Sequence, residues 1–133
     1  MTLNRIALFL LIVLFSPAAE ISADQGTQAE IDHLLAFIKE SDCTFIRNGK
    51  TYTSLKAFEH ISKKYEYIKK RIDSTEDFIT YGASQSSITK SEYQIECGTI
   101  STSSNAWLNT ELERYRNNTE PVLQKTEATQ NKK

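Results

Sequence analysis

Residues able to do chemistry are few in this 133-residue chain, and their spacing decides what each can do. Ser87-Ile-Thr-Lys90 fits Ser-x-x-Lys, the pattern in which a lysine amine activates a serine nucleophile. That chemistry needs the serine at a helix N-terminus with the lysine one turn later on the same face. Here the motif leads into a strand, where positions i and i+3 point to opposite faces, and the Ser-Asp-Asn and Lys-Thr-Gly partners are absent. No catalytic residue is expected, and a small serine-loop hydrolase ranks last among the functional readings. His33 and His60 fall on different expected helices without His-Glu-x-x-His spacing. With two Cys besides, a four-ligand zinc site would consume almost the whole supply. Neither a metal nor an organic cofactor is expected.

Two features suit binding better. Ala83–Thr89 (ASQSSIT) is a loop rich in hydrogen-bonding side chains, and Ser84, Gln85, Ser86, Ser87 and Thr89 form the candidate binding loop. The expected helix from Ser54 to Asp73 carries six bases against three acids, and Lys63, Lys64, Lys69, Lys70 and Arg71 make a candidate basic surface for an anionic partner. Tyr67 falls off that helix's apolar stripe and is expected to be an exposed aromatic among these cations. The whole chain has 16 bases and 17 acids, a formal charge of −1, so nucleic acid is not an expected partner.

Residues 1–23 read as a secretory signal. Arg5 precedes the apolar run Ile6–Phe15, which is too short to span a bilayer, and small-residue cleavage sites follow at Ala18 and Ala23. The expected product is an exported, periplasmic protein with no membrane span after cleavage. In an oxidising compartment Cys43 and Cys97 are expected to form a disulfide, since no Cys-x-x-Cys suggests redox catalysis.

The positioning elements follow from periodicity. Thr27-x-x-Glu30 is a capping-box pattern opening a helix from Gln28 to Ser41, with Ile31, Leu34, Leu35 and Ile38 on one face. Asn48-Gly49 between β-branched and aromatic residues predicts a hairpin. Phe58, Ile61, Tyr65, Ile68 and Ile72 make the buried stripe of the long helix, and a short helix from Thr75 to Tyr81 is opened by Asp73-x-x-Glu76 and stopped at Gly82. Ser91–Cys97 alternates as a strand, and Gly98–Ser103 reads as turn before a last helix to about Arg116. The expected fold is α+β: a small antiparallel sheet (hairpin plus one late strand) packed with about four helices and one disulfide. A single domain spans 24–116, and the polar tail 117–133 is expected to be disordered.

Phe45-Ile-Arg-Asn-Gly49, the Lys/Tyr-rich helix, Arg71-Ile-Asp-Ser-Thr-Glu-Asp-Phe78, Ala83–Thr89 and Tyr93-Gln-Ile95, in that order, resemble the YfeK-like family of small exported bacterial proteins, a domain of unknown function. The resemblance implies a signal peptide, one domain and a periplasmic address, and no activity. The reading is a non-enzymatic binding module contacting an envelope protein or polymer. An inhibitor of an exogenous lysozyme- or protease-type hydrolase is the alternative.

Overall fold

A computed structural model describes residues 23–130. The expected export signal, with its Ala18 cleavage position, lies outside the described residues except for Ala23. The chain folds as α+β, in the order α1 (Ala23–Glu40), β1 (Thr44–Arg47), β2 (Lys50–Tyr52), α2 (Ser54–Ile68), a 3-10 turn (Lys69–Arg71), α3 (Thr75–Asp77), a π-helical turn (Phe78–Ala83), β3 (Gln94–Cys97), β4 (Ile100–Ser103) and α4 (Ser104–Gln130).

The sheet has four antiparallel strands in the order β2-β1-β3-β4, one more than the sequence predicts. Asn48 and Gly49 both take positive φ (50° and 74°), as a type I′ turn requires, and join β1 to β2. The extra strand comes from the stretch expected to be turn. Gly98 at φ 59° closes a second hairpin, and Ile100 pairs with Cys97. Ile-Ser-Thr-Ser carries little apolar signal because an edge strand need not bury alternate residues, and Ile100 is 62% exposed.

The Cys43–Cys97 disulfide is present, with Cα atoms 4.7 Å apart. The β1–β3 register pairs Thr44 with Glu96 and Phe45 with Ile95, so the two half-cystines face each other one step further along the ladder. Around the sheet, Ile31, Leu34 and Ile38 of α1, Ala57, Ile61 and Tyr65 of α2, Phe78 and Ile79, and Leu108 and Leu112 of α4 form one core with Phe45 and Ile95.

Helix boundaries depart from expectation where tertiary contacts intervene. α1 starts five residues before Gln28, so Thr27 lies inside the helix and not at its cap. Glu30 is drawn away to Arg116 and Thr75. The long helix ends at Ile68 and tightens into the 3-10 turn, because Ile72 is extended (φ −121°, ψ 144°). Ser74, not Asp73, caps α3: its Oγ accepts from the Asp77 amide at 3.0 Å, while the Asp77 carboxylate accepts from the Asp73 amide. Gly82 does not stop this segment. It sits inside the π-helical turn against the Phe78 ring, and the wider turn buries Phe78, Ile79 and Ala83 together. The strand expected from Ser91 begins at Gln94, preceded by an isolated bridge between Gln85 and Glu92. The tail expected to be disordered continues α4 to Gln130, since extending a formed helix gains one hydrogen bond for each residue ordered. Residues 131–133 lie outside the described residues.

Candidate functional site

Strand alternation puts Arg47 on the same face of β1 as buried Phe45, turned toward α2. On α2, Lys56, His60, Lys63, Lys64 and Tyr67 recur at three- and four-residue intervals, beside the buried stripe of Ala57, Ile61 and Tyr65. The two rows meet. Arg47 donates from Nη1 to His60 Nε2 at 2.6 Å and from Nη2 to the Tyr52 hydroxyl at 3.2 Å, and its guanidinium lies 4.8 Å from the Tyr52 ring centroid. The Tyr93 hydroxyl is 3.3 Å from His60 Nε2, and the Lys64 ammonium stands over the Tyr93 ring at 5.5 Å.

The Arg47 contact requires His60 to accept at Nε2, which makes the imidazole neutral and places its proton on Nδ1. Burial, reinforced by the positive charges of Arg47, Lys64 and Lys63, holds the His60 pKa below its ordinary value. Burial, then Lys90 and Arg47, lowers Lys64 to about 8. The Arg47 pKa is raised, chiefly by its hydrogen bond to Tyr52, and burial raises that of the Tyr93 phenol.

This cluster partitions two adjoining cavities. The first, of about 310 Å³, is floored by Phe45, Ala57 and Ile61 with Ile46 on its wall; its charged residues besides Arg47 and Lys63 are Lys56 and Glu59, paired at 2.8 Å. The second, of about 450 Å³, is lined by Arg47, Lys63 and Lys64 with Tyr67, Ser86, Ser87 and Ile88, and no carboxylate among the described residues lines it. Arg47, His60, Lys63 and Tyr93 border both. Such a groove can hold an anion against fixed guanidinium and ammonium donors, with tyrosine rings beside it.

The residues singled out from sequence divide. Lys63, Lys64, Ser86 and Ser87 come together on the second cavity, and Tyr67 is 70% exposed at its rim. Lys69, Lys70 and Arg71 lie on the 3-10 turn outside it: Lys69 pairs with Glu66 at 2.6 Å, and Arg71 donates to the Tyr67 carbonyl. Within the loop, Ser86 is buried and its Oγ accepts from the Ile88 and Thr89 amides. Gln85 supplies the carbonyl that accepts from Lys64, Ser84 is buried, and Thr89 donates to the Asn48 side chain at 3.0 Å. Ser87 and Lys90 occupy a turn, with Lys90 at φ 60°. Arg47, Tyr52, His60 and Tyr93 were not singled out as site residues. The signals that could have found them are the alternation Phe45/Arg47 and the second stripe of α2. His33 lies apart, bonded to buried Glu111 at 2.6 Å and stacked on Tyr115.

Residues 25–116, which include the whole groove, match a family of unknown function, DUF5329. The chain belongs to that family. It is 32% identical to the uncharacterized protein YfeK of Salmonella typhimurium over 92 residues, 68% of this chain and 77% of the relative. No solved structure matches. No helix among the described residues is long and apolar enough to cross a membrane.

Proposed function

We propose that this family member is a non-enzymatic binding module of the bacterial periplasm, and that the groove between α2, the β1–β2 hairpin and the 84–93 loop holds an anionic ligand of the envelope. One observation carries the reading: Arg47, Lys63 and Lys64 line a single cavity to which no carboxylate among the described residues contributes. In a chain of net charge −1, that concentration of positive potential is local. The disulfide supports export to an oxidising compartment. The position of Ser87 and Lys90 in a turn, not along one helical face, supports a role other than nucleophilic catalysis.

The test is an NMR titration of the oxidised protein with inorganic phosphate and with acetate at low salt. Saturable shifts at Arg47, Lys63, Lys64 and Tyr93 that are lost in Lys63→Gln/Lys64→Gln would support it. Shifts absent from these residues would refute it.

A second reading, inhibition of an exogenous hydrolase, draws on Ile88, which is 92% exposed on the loop beside the groove. It requires inhibition of a muramidase or protease that Ile88→Asp abolishes.

A further inference from the structure

The cationic cavity does not stand alone. Its neighbour across the Arg47–His60–Tyr93 partition has an apolar floor of Phe45, Ala57 and Ile61, and its charged residues besides the shared Arg47 and Lys63 are Lys56 and Glu59, which pair with each other. At about 310 Å³ it reaches the lower end of the roughly 300–1,000 Å³ range of small-molecule pockets. An inorganic anion would leave that space unused, and a wholly apolar ligand would leave the three cations unpaired.

We infer that the ligand is an amphiphilic anion. Its phosphate or carboxylate head would bind Arg47, Lys63 and Lys64, and a short apolar chain would pass the partition to lie over Phe45, Ala57 and Ile61. Four observations converge. The two cavities share Arg47, His60, Lys63 and Tyr93, so head and chain sites adjoin. His60 is kept neutral at the junction, where an imidazolium would oppose the passage of methylenes. Arg47 is held by His60, Tyr52 and Tyr93, yet its five N–H donors outnumber those three partners, so a fixed guanidinium still has donors to offer. Tyr52 and Tyr93 line the apolar cavity and turn their hydroxyls to Arg47 and His60 of the partition.

This inference rests on the anion-binding reading, and the experiment separates the two. Binding of inorganic phosphate, butyl phosphate, hexyl phosphate and octyl phosphate, each below its micelle concentration, is measured by calorimetry on the oxidised protein. Full burial of a methylene is worth about fourfold in affinity, so each two-carbon extension should tighten binding by about fifteenfold until the cavity is filled. Ala57→Leu, which fills the apolar floor, should flatten that series and leave inorganic phosphate binding unchanged; retained phosphate binding also shows that the variant is folded. Lys63→Gln should weaken every member by a similar factor and keep the slope. Equal affinity across the wild-type series would overturn the amphiphile while leaving the anion site standing. No binding by any member would overturn both. Co-sedimentation with phosphatidylglycerol vesicles, but not phosphatidylcholine vesicles, would assign the head and chain to a bilayer lipid; binding of monomeric octyl phosphate alone would assign them to a free amphiphile.

Discussion

Replacing Cys43 and Cys97 together by alanine tests how the domain holds its sheet. The bond closes a 54-residue separation and ties β1 to β3 at facing positions of one ladder. Chain entropy for a loop of this length gives about 14 cal/mol/K, or about 4 kcal/mol at 25 °C, withdrawn from the stability of the folded state. A domain of this size has about 5–15 kcal/mol in total, so the loss is a large fraction of it. Taking a urea m-value of about 1.5 kcal/mol/M, the midpoint should fall by about 2–3 M. The effect acts on the unfolded chain, so the m-value itself should rise as that chain expands. Circular dichroism during urea titration of the oxidised protein and the double variant measures both quantities. A midpoint shift below about 0.5 M with an unchanged m-value would refute the reasoning. It would mean that the denatured chain already keeps β1 and β3 together without the bond.

Other expected outcomes follow from particular contacts. Because burial lowers Lys64 to about 8, it is charged below that pH and neutral above it, so affinity for phosphate should fall as pH rises through about 8. The decline is at most about tenfold per pH unit, and Lys64→Arg should remove it, as calorimetry across pH 6–10 would show. Gly82→Ala should destabilise by about 1–3 kcal/mol in thermal melts, since its new Cβ would meet the Phe78 ring at 3.1 Å and Ile68 at 3.4 Å. Hydrogen bonds from Arg116 hold the Glu30 and Glu76 carboxyls below their ordinary value of 4.5. For Glu111 burial pushes upward, and the hydrogen bonds from Arg114 and His33 outweigh it. Folded-state values below the unfolded ones mean stability that is present above about pH 4.5 and lost as pH falls through the folded values. Urea midpoints measured from pH 7 to 3 should therefore drop on the acid side, less steeply in Arg116→Leu.

Elements whose signal is local were legible in the sequence. Asn48-Gly49 specifies a type I′ turn through its own φ preferences, and the apolar faces of α1, α2 and the first part of α4 follow from 3.6-residue periodicity. The α+β class and the cystine were readable for the same reason, since each needs only residue types and compartment chemistry. The strand Ile100–Ser103 was not readable, because Ile100 alone among its residues is apolar, leaving no alternation, and its place is set by the ladder with β3. The capping of α3 was displaced by one residue, and the π-helical turn was invisible: it is a response to burying Phe78, Ile79 and Ala83 at once.

The groove shows the same division. Lys63, Lys64, Ser86 and Ser87 stand out as residue types along the chain, as do Lys69, Lys70 and Arg71 only a few positions further on. Sequence alone determined that this chain would carry cations on one helix and hydroxyls on one loop, because composition and period are properties of single segments. Only the tertiary structure decided which of them share a cavity. The turn after Ile68 swings Lys69, Lys70 and Arg71 away, and the register of β1 brings Arg47 against His60. Spacing along a chain sets the face a residue occupies; which faces meet depends on how the elements pack.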